Sequence, residues 1–104
     1  MKFKPLEWKS WENDYDRNGK LQRATAEIEI KFQNGDYKLY RTYCIHKGAT
    51  QETENNWYFL ILESNANDQK HEEVDSFEAG KILAEHDYQK YMNEFYKGFQ
   101  KFIP

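Results

Sequence analysis

Three hydrophobic periods succeed one another along the chain. From Ala24 to Gln33 the alternation is strict: Ala24, Ala26, Ile28, Ile30 and Phe32 fall on one side, Thr25, Glu27, Glu29, Lys31 and Gln33 on the other. Asn34-Gly35 follows and supplies the residue pair that a tight type I′ turn needs, so residues 20–46 read as a β-hairpin. A two-residue loop fixes the register. Phe32 then faces Tyr37, Ile30 faces Leu39, Ile28 faces Arg41, Ala26 faces Tyr43 and Ala24 faces Ile45, which places the apolar sets of both strands on one face. Arg41 is the misfit. A cation on the core face either reaches the sheet edge, marks a bulge, or is buried against a carboxylate, for instance at a ligand site.

The second period is continuous. Trp57-Tyr58-Phe59-Leu60-Ile61-Leu62 is apolar at every position. Successive strand residues point to opposite faces, so such a strand needs cover on both. It is expected to be central and to pair with residues 37–46. Tyr58, Leu60 and Leu62 would then lie near Tyr40, Thr42 and Cys44 on the second face.

The third period is helical. Phe77, Gly80, Ala84, Tyr88, Tyr91, Met92, Phe95, Phe99 and Phe102 recur at spacings of three and four. Asp75 or Ser76 starts the helix, with Glu78 in capping-box position relative to Asp75. Gly98 is placed to end it, so the helix is predicted over 76–97, with Phe99 and Phe102 folding back. Between these elements, Ser64–Asp75 has no periodicity and reads as a loop. The expected architecture is α+β: an antiparallel meander of three to four strands packed on one long C-terminal helix. Residues 1–104 form a single domain, divided into an N-terminal segment and turn (1–19), sheet (20–63), loop (64–75), and helix and tail (76–104). The helix covers one sheet face. Trp8 and Trp11 are the chain's own candidates for covering the other, and a partner is the alternative.

Composition narrows the classes. Charged residues make up 32% of the chain and mean hydropathy is −1.10, which would favour disorder, but eight Tyr, seven Phe and three Trp supply enough buried area to fold. Net charge is −3 and pI about 5.6, so no global basic field draws nucleic acid. Cys44 is the single cysteine, so no intramolecular disulfide forms, and its place in a strand suits a small buried hydrophobe. Met1-Lys2-Phe3-Lys4-Pro5 lacks the apolar core of a signal peptide, and no segment reaches transmembrane length. A cytoplasmic location without a membrane partner is the expectation.

No motif for chemistry emerges. His46, His71 and His86 form no zinc pattern, and only convergence in space would make them ligands. Asp14, Asp16, Asn18 and Gly19 match the first half of a calcium loop, but Thr25 stands where the bidentate Glu is required, so a turn is the better reading. Glycine-rich phosphate loops and nucleophile elbows are absent from the sequence. Lysines and aromatics alternate along the helix, but Glu78, Glu85, Asp87 and Glu94 cancel that field. No catalytic, cofactor or metal residue is therefore expected. The aromatic surplus is the more suggestive feature. Trp8, Trp11, Tyr15, Tyr40 and Tyr58, with Arg41, are the candidate interaction residues, because Trp, Tyr and Arg carry interface hot spots.

The order Leu6-Glu7-Trp8, Gly35-Asp36-Tyr37, Trp57-Tyr58-Phe59-Leu60, Phe77-Glu78-Ala79-Gly80 and Glu85-His86-Asp87-Tyr88 resembles a loose group of small phage- and prophage-encoded proteins of unassigned function. The resemblance implies a mobile-element origin and a non-catalytic accessory role: binding a host protein and inhibiting or adapting it. The alternatives are a small-molecule or nucleotide-binding domain, either a simple binder or an enzyme, with a pocket near Arg41, and an obligate homodimeric structural protein whose second copy covers the open sheet face.

Overall fold

The structure, a computed structural model, describes the backbone of residues 2–31, 38–63 and 70–100; the side chains of 29–31, 38–40, 63, 70 and 95–100 lie outside the description. Four strands, β1 (Arg23–Lys31), β2 (Lys38–Lys47), β3 (Trp57–Glu63) and β4 (Lys70–Val74), precede a single helix, α1 (Phe77–Gln100). The sheet is antiparallel, and each strand lies beside its neighbour in sequence, in the order β1-β2-β3-β4. This is the α+β meander on a C-terminal helix that the periodicity predicts.

The hairpin register is the one that the sequence predicts. Ala24 faces Ile45, Ala26 faces Tyr43, Ile28 faces Arg41 and Ile30 faces Leu39. The Phe32–Tyr37 pair and the Asn34-Gly35 turn lie outside the described residues. β3 is central, with Cys44 opposite Leu60 and Thr42 opposite Leu62. Tyr58 faces His46, two positions along β2 from the Thr42–Cys44 stretch.

Two expectations change. Residues 70–74 form a strand where a loop was expected over 64–75. Lys70-His71-Glu72-Glu73-Val74 carries one aliphatic residue, because an edge strand needs little apolar area and polar side chains suit its margin. Residues 64–69 lie outside the description. The helix also continues through Gly98 to Gln100, where an end at 97 was predicted. A glycine stops a helix only by adopting the left-handed conformation, and Gly19 (φ 76°) is the residue that adopts it among those described.

Ser76 caps α1: its Oγ accepts a hydrogen bond from the Ala79 N–H at 3.0 Å. The helix lies across the face carrying Tyr43, Ile45, Phe59, Ile61 and Val74, all buried, and sets Ala84 and Tyr88 against them. Small residues allow the close approach. A Cβ on Gly80 would stand 3.1 Å from the Ile45 side chain.

The N-terminal segment completes this same face. Gln89 Nε2 donates to the Phe3 carbonyl and the Phe3 N–H donates to Gln89 Oε1, both at 2.9 Å. The Leu6 N–H donates to Glu85 Oε2 at 3.1 Å, and the Tyr88 hydroxyl donates to the Lys4 carbonyl at 2.9 Å. Glu85 and Gln89, polar positions that periodicity alone would leave to solvent, thus hold the chain's first residues. Trp8 follows onto the helix side, with its ring 6.5 Å from that of Phe77, which in turn lies 5.3 Å from Trp57. Lys9 bridges to Thr25 and closes part of the β1 edge. Trp8 therefore does not cover the second face.

Candidate functional site on the open face of the sheet

The second face carries Thr25 from β1, Thr42, Cys44 and His46 from β2, Tyr58, Leu60 and Leu62 from β3, and His71 and Glu73 from β4. No described element is packed over it. Leu60, Leu62 and Tyr58 are half-buried, shielded only by their neighbours in the sheet. A wide, open trough of about 580 Å³ crosses the strands here, floored by Thr25, Thr42, Cys44, Leu60 and Leu62. Burial pushes the Cys44 thiol above its ordinary value, so it stays protonated at neutral pH and behaves as an apolar wall rather than a nucleophile.

One end of the trough is rimmed by the turn before β1. Asp14 is fully buried there, accepting from the Trp11 N–H at 2.8 Å and from Arg23 Nε at 2.8 Å. Asp16 Oδ1 accepts from the Asn18 and Lys20 N–H groups at 2.8 and 2.9 Å, and Gly19 turns the chain at φ 76°. These carboxylates are engaged by backbone and Arg23 in a turn, as the missing Glu at Thr25 suggests. No cluster of three or more metal-ligating side chains occurs among the described residues.

The other end carries an aromatic plate. The rings of His46, Tyr58 and His71 lie 5.4 to 5.7 Å apart, centroid to centroid, with interplanar angles of 10° to 23°. His46 Nδ1 is within hydrogen-bond distance of the Lys47 carbonyl, at 3.0 Å. Two of the three histidines therefore converge, through strands that sequence could not pair: His71 sits on a strand with no periodic signature. His86 is exposed on α1, away from this plate.

The six candidate interaction residues divide. Tyr58 belongs to the open face. Trp11 is 65% exposed and lies at the β1 margin, sharing a small hollow with Thr25 and Glu27, whose side chains point to the open face. Tyr15 is exposed beside the same turn, where it bridges to Leu21. Trp8 belongs to the core on the helix side, and the side chain of Tyr40 lies outside the description.

Arg41 also points to the helix side. Its Nη2 lies 2.8 Å from Asp87 Oδ1, its Nε donates to the Tyr43 hydroxyl at 2.9 Å, and that hydroxyl donates to Asp87 Oδ1 at 2.8 Å. The guanidinium also lies 4.2 Å from the Tyr91 ring centroid. Burial works to lower the Arg41 value, but the bonds to Asp87 and Tyr43 carry it above the ordinary one. Burial likewise raises the Tyr43 phenol, with Asp87 adding to the rise. Of the alternatives for Arg41, the pairing with a carboxylate is the one observed; the register runs through it without a bulge.

Comparison of the chain with protein-family models, with curated proteins and with solved structures finds no match. No helix among the described residues is long and apolar enough to cross a membrane.

Proposed function

We propose that this chain is a non-catalytic binding protein, of the phage or prophage accessory kind, that grips a host protein with the open face of its sheet and thereby inhibits or adapts it. The observation that carries the reading is the second face of β3. Tyr58, Leu60 and Leu62 continue an apolar strand onto a side where no described element covers them. An apolar centre with a polar margin is the make-up of a protein interface: here Leu60, Leu62, Cys44 and the His46–Tyr58–His71 plate lie within a rim of Arg23, Gln22 and Glu73. Trp11 extends the surface at the β1 margin as an exposed anchor. The mobile-element origin rests on the order of landmarks from Leu6-Glu7-Trp8 to Asp87-Tyr88. A ligand pocket at Arg41 is the weaker reading, because Asp87, Tyr43 and Tyr91 already engage the guanidinium.

The test is capture from host lysate with the tagged chain, quantified by mass spectrometry, beside a Leu60→Asp variant shown to be folded. One protein retained in near-equal amount by the wild type and lost with Leu60→Asp supports the reading. Equal retention by both sinks it. A concentration-dependent dimer abolished by Leu60→Asp would replace the host protein with a second copy.

A further inference from the structure

His46 and His71 stand on strands that do not touch. β3 lies between them, with Tyr58 opposite His46 and Leu60 opposite His71. Strands two apart are separated by about 9.5 Å, yet the two imidazole centroids come within 5.7 Å. The side chains therefore lean toward each other across β3.

That separation is one that a shared metal ion accepts. Metal–nitrogen bonds are about 2.0–2.1 Å long, so two imidazoles on one ion hold their centroids about 5 Å apart at a tetrahedral angle and about 6 Å at a wider one. The rings lie within 10° of parallel, so one of them must turn for both to aim a nitrogen at the same point. His71 is exposed, and rotation about its Cβ–Cγ bond is soft and leaves the ring centroid nearly in place.

The surroundings suit a cation. An ion on His46 Nε2 requires the proton on Nδ1, and the Lys47 carbonyl stands 3.0 Å from that nitrogen, placed to accept it. A backbone carbonyl in that position is the usual outer-shell partner of a metal-bound histidine. The nearest cations are engaged elsewhere. Arg23, beside His46 on β1, holds Nε 2.8 Å from the buried Asp14, and Lys47 sets Nζ over the Trp57 ring, 5.3 Å from its centroid. Glu73 lies opposite Tyr58 on the same face and brings a negative charge. Tyr58, half-buried and within 5.7 Å of both imidazoles, walls one side.

We propose that His46 and His71 together bind one late first-row divalent metal ion, of the class Cu²⁺, Ni²⁺ and Zn²⁺. Two imidazoles select these ions over Mg²⁺ and Ca²⁺, which take oxygen ligands. Two ligands are fewer than a closed structural site needs, so the remaining positions are open to water or to a donor from a molecule on the face. The ion binds the free chain, so the site stands or falls without a host protein.

The probe is zinc chloride, titrated into the isotope-labelled full chain by NMR, with magnesium chloride as control. Saturable one-to-one binding of zinc is expected, with shifts centred on the His46 and His71 rings and none with magnesium. His46→Gln and His71→Gln, each with an otherwise native spectrum, should weaken zinc by about tenfold or more, no less than loss of an outer-shell partner does. His86→Gln should leave the affinity unchanged, and nickel should bind more tightly than zinc. Any one of four results would overturn the proposal: no saturable binding, equal effects of magnesium, unchanged affinity in His71→Gln, or a zinc-linked dimer in place of the one-to-one complex.

Discussion

Arg41 and Asp87 meet at 2.8 Å across the interface between β2 and α1, with side chains only 11% and 27% exposed. The pair sits 46 residues apart in sequence and ties the sheet to the middle of the helix. Its removal should expose how much of the charge is compensated. Asp87→Leu takes the Asp87 carboxylate from a largely buried guanidinium and should cost about 1–3 kcal/mol in urea unfolding, less than for a fully buried pair because Asp87 is partly hydrated. The double change Arg41→Met with Asp87→Leu should return to within about 1 kcal/mol of the wild type.

The same cluster predicts alkaline instability. The Tyr43 phenol holds its proton more tightly when folded, chiefly through burial, and Tyr88 is raised in the same direction. Their contribution is complete below the unfolded value near pH ~10 and is lost as pH rises above it, because the unfolded chain then releases protons that the folded chain keeps. Tyr43→Phe should flatten the fall in stability between pH 9 and 11 (about one unit either side of the unfolded value), measured by urea unfolding across that range.

The two faces of β3 should respond unequally. Phe59→Ala removes a fully buried ring from the helix side and should cost about 3–5 kcal/mol. Leu60→Ala, on the half-buried open face one residue later, should cost well under half of that, about 1–1.5 kcal/mol. Equal costs would mean that the open face is covered in solution.

Gly80 tests the closeness of helix and sheet. Alanine would gain about 1 kcal/mol of helix propensity, but its Cβ would meet the fully buried Ile45 at 3.1 Å. Gly80→Ala should therefore destabilise, by about 1 kcal/mol. Combined with Ile45→Val, which removes the Cδ1 atom in that contact, the two changes should cost less than their sum. Thermal or urea unfolding of the four chains decides it.

Much of this fold was legible because it follows from local periodicity. The strict alternation from Ala24 and the two-residue loop expected at Asn34-Gly35 predict the observed pairing of Ala24 with Ile45 and Ala26 with Tyr43. The two-faced apolar run made β3 central and raised the question of a second cover. β4 was missed because one valine among charged residues leaves no pattern to read, and the convergence of His71 with His46 was missed with it. Trp8 was ambiguous for a different reason. Its side of the sheet depends on Glu85, Tyr88 and Gln89 gripping residues 3–6, which are long-range bonds without a sequence signature. Arg41 announced itself as a cation among apolar neighbours, but Asp87 as its partner could be chosen only once the helix was placed.

The measurement that bears most directly on the open face as the working surface is a comparison of three folded chains in host-lysate capture: wild type, Leu60→Asp on the open face, and His86→Asp on the exposed side of α1. The account predicts one protein in near-equal amount with the wild type and His86→Asp, and its loss with Leu60→Asp. Retention by Leu60→Asp together with loss by His86→Asp would contradict it and move the interface to the helix.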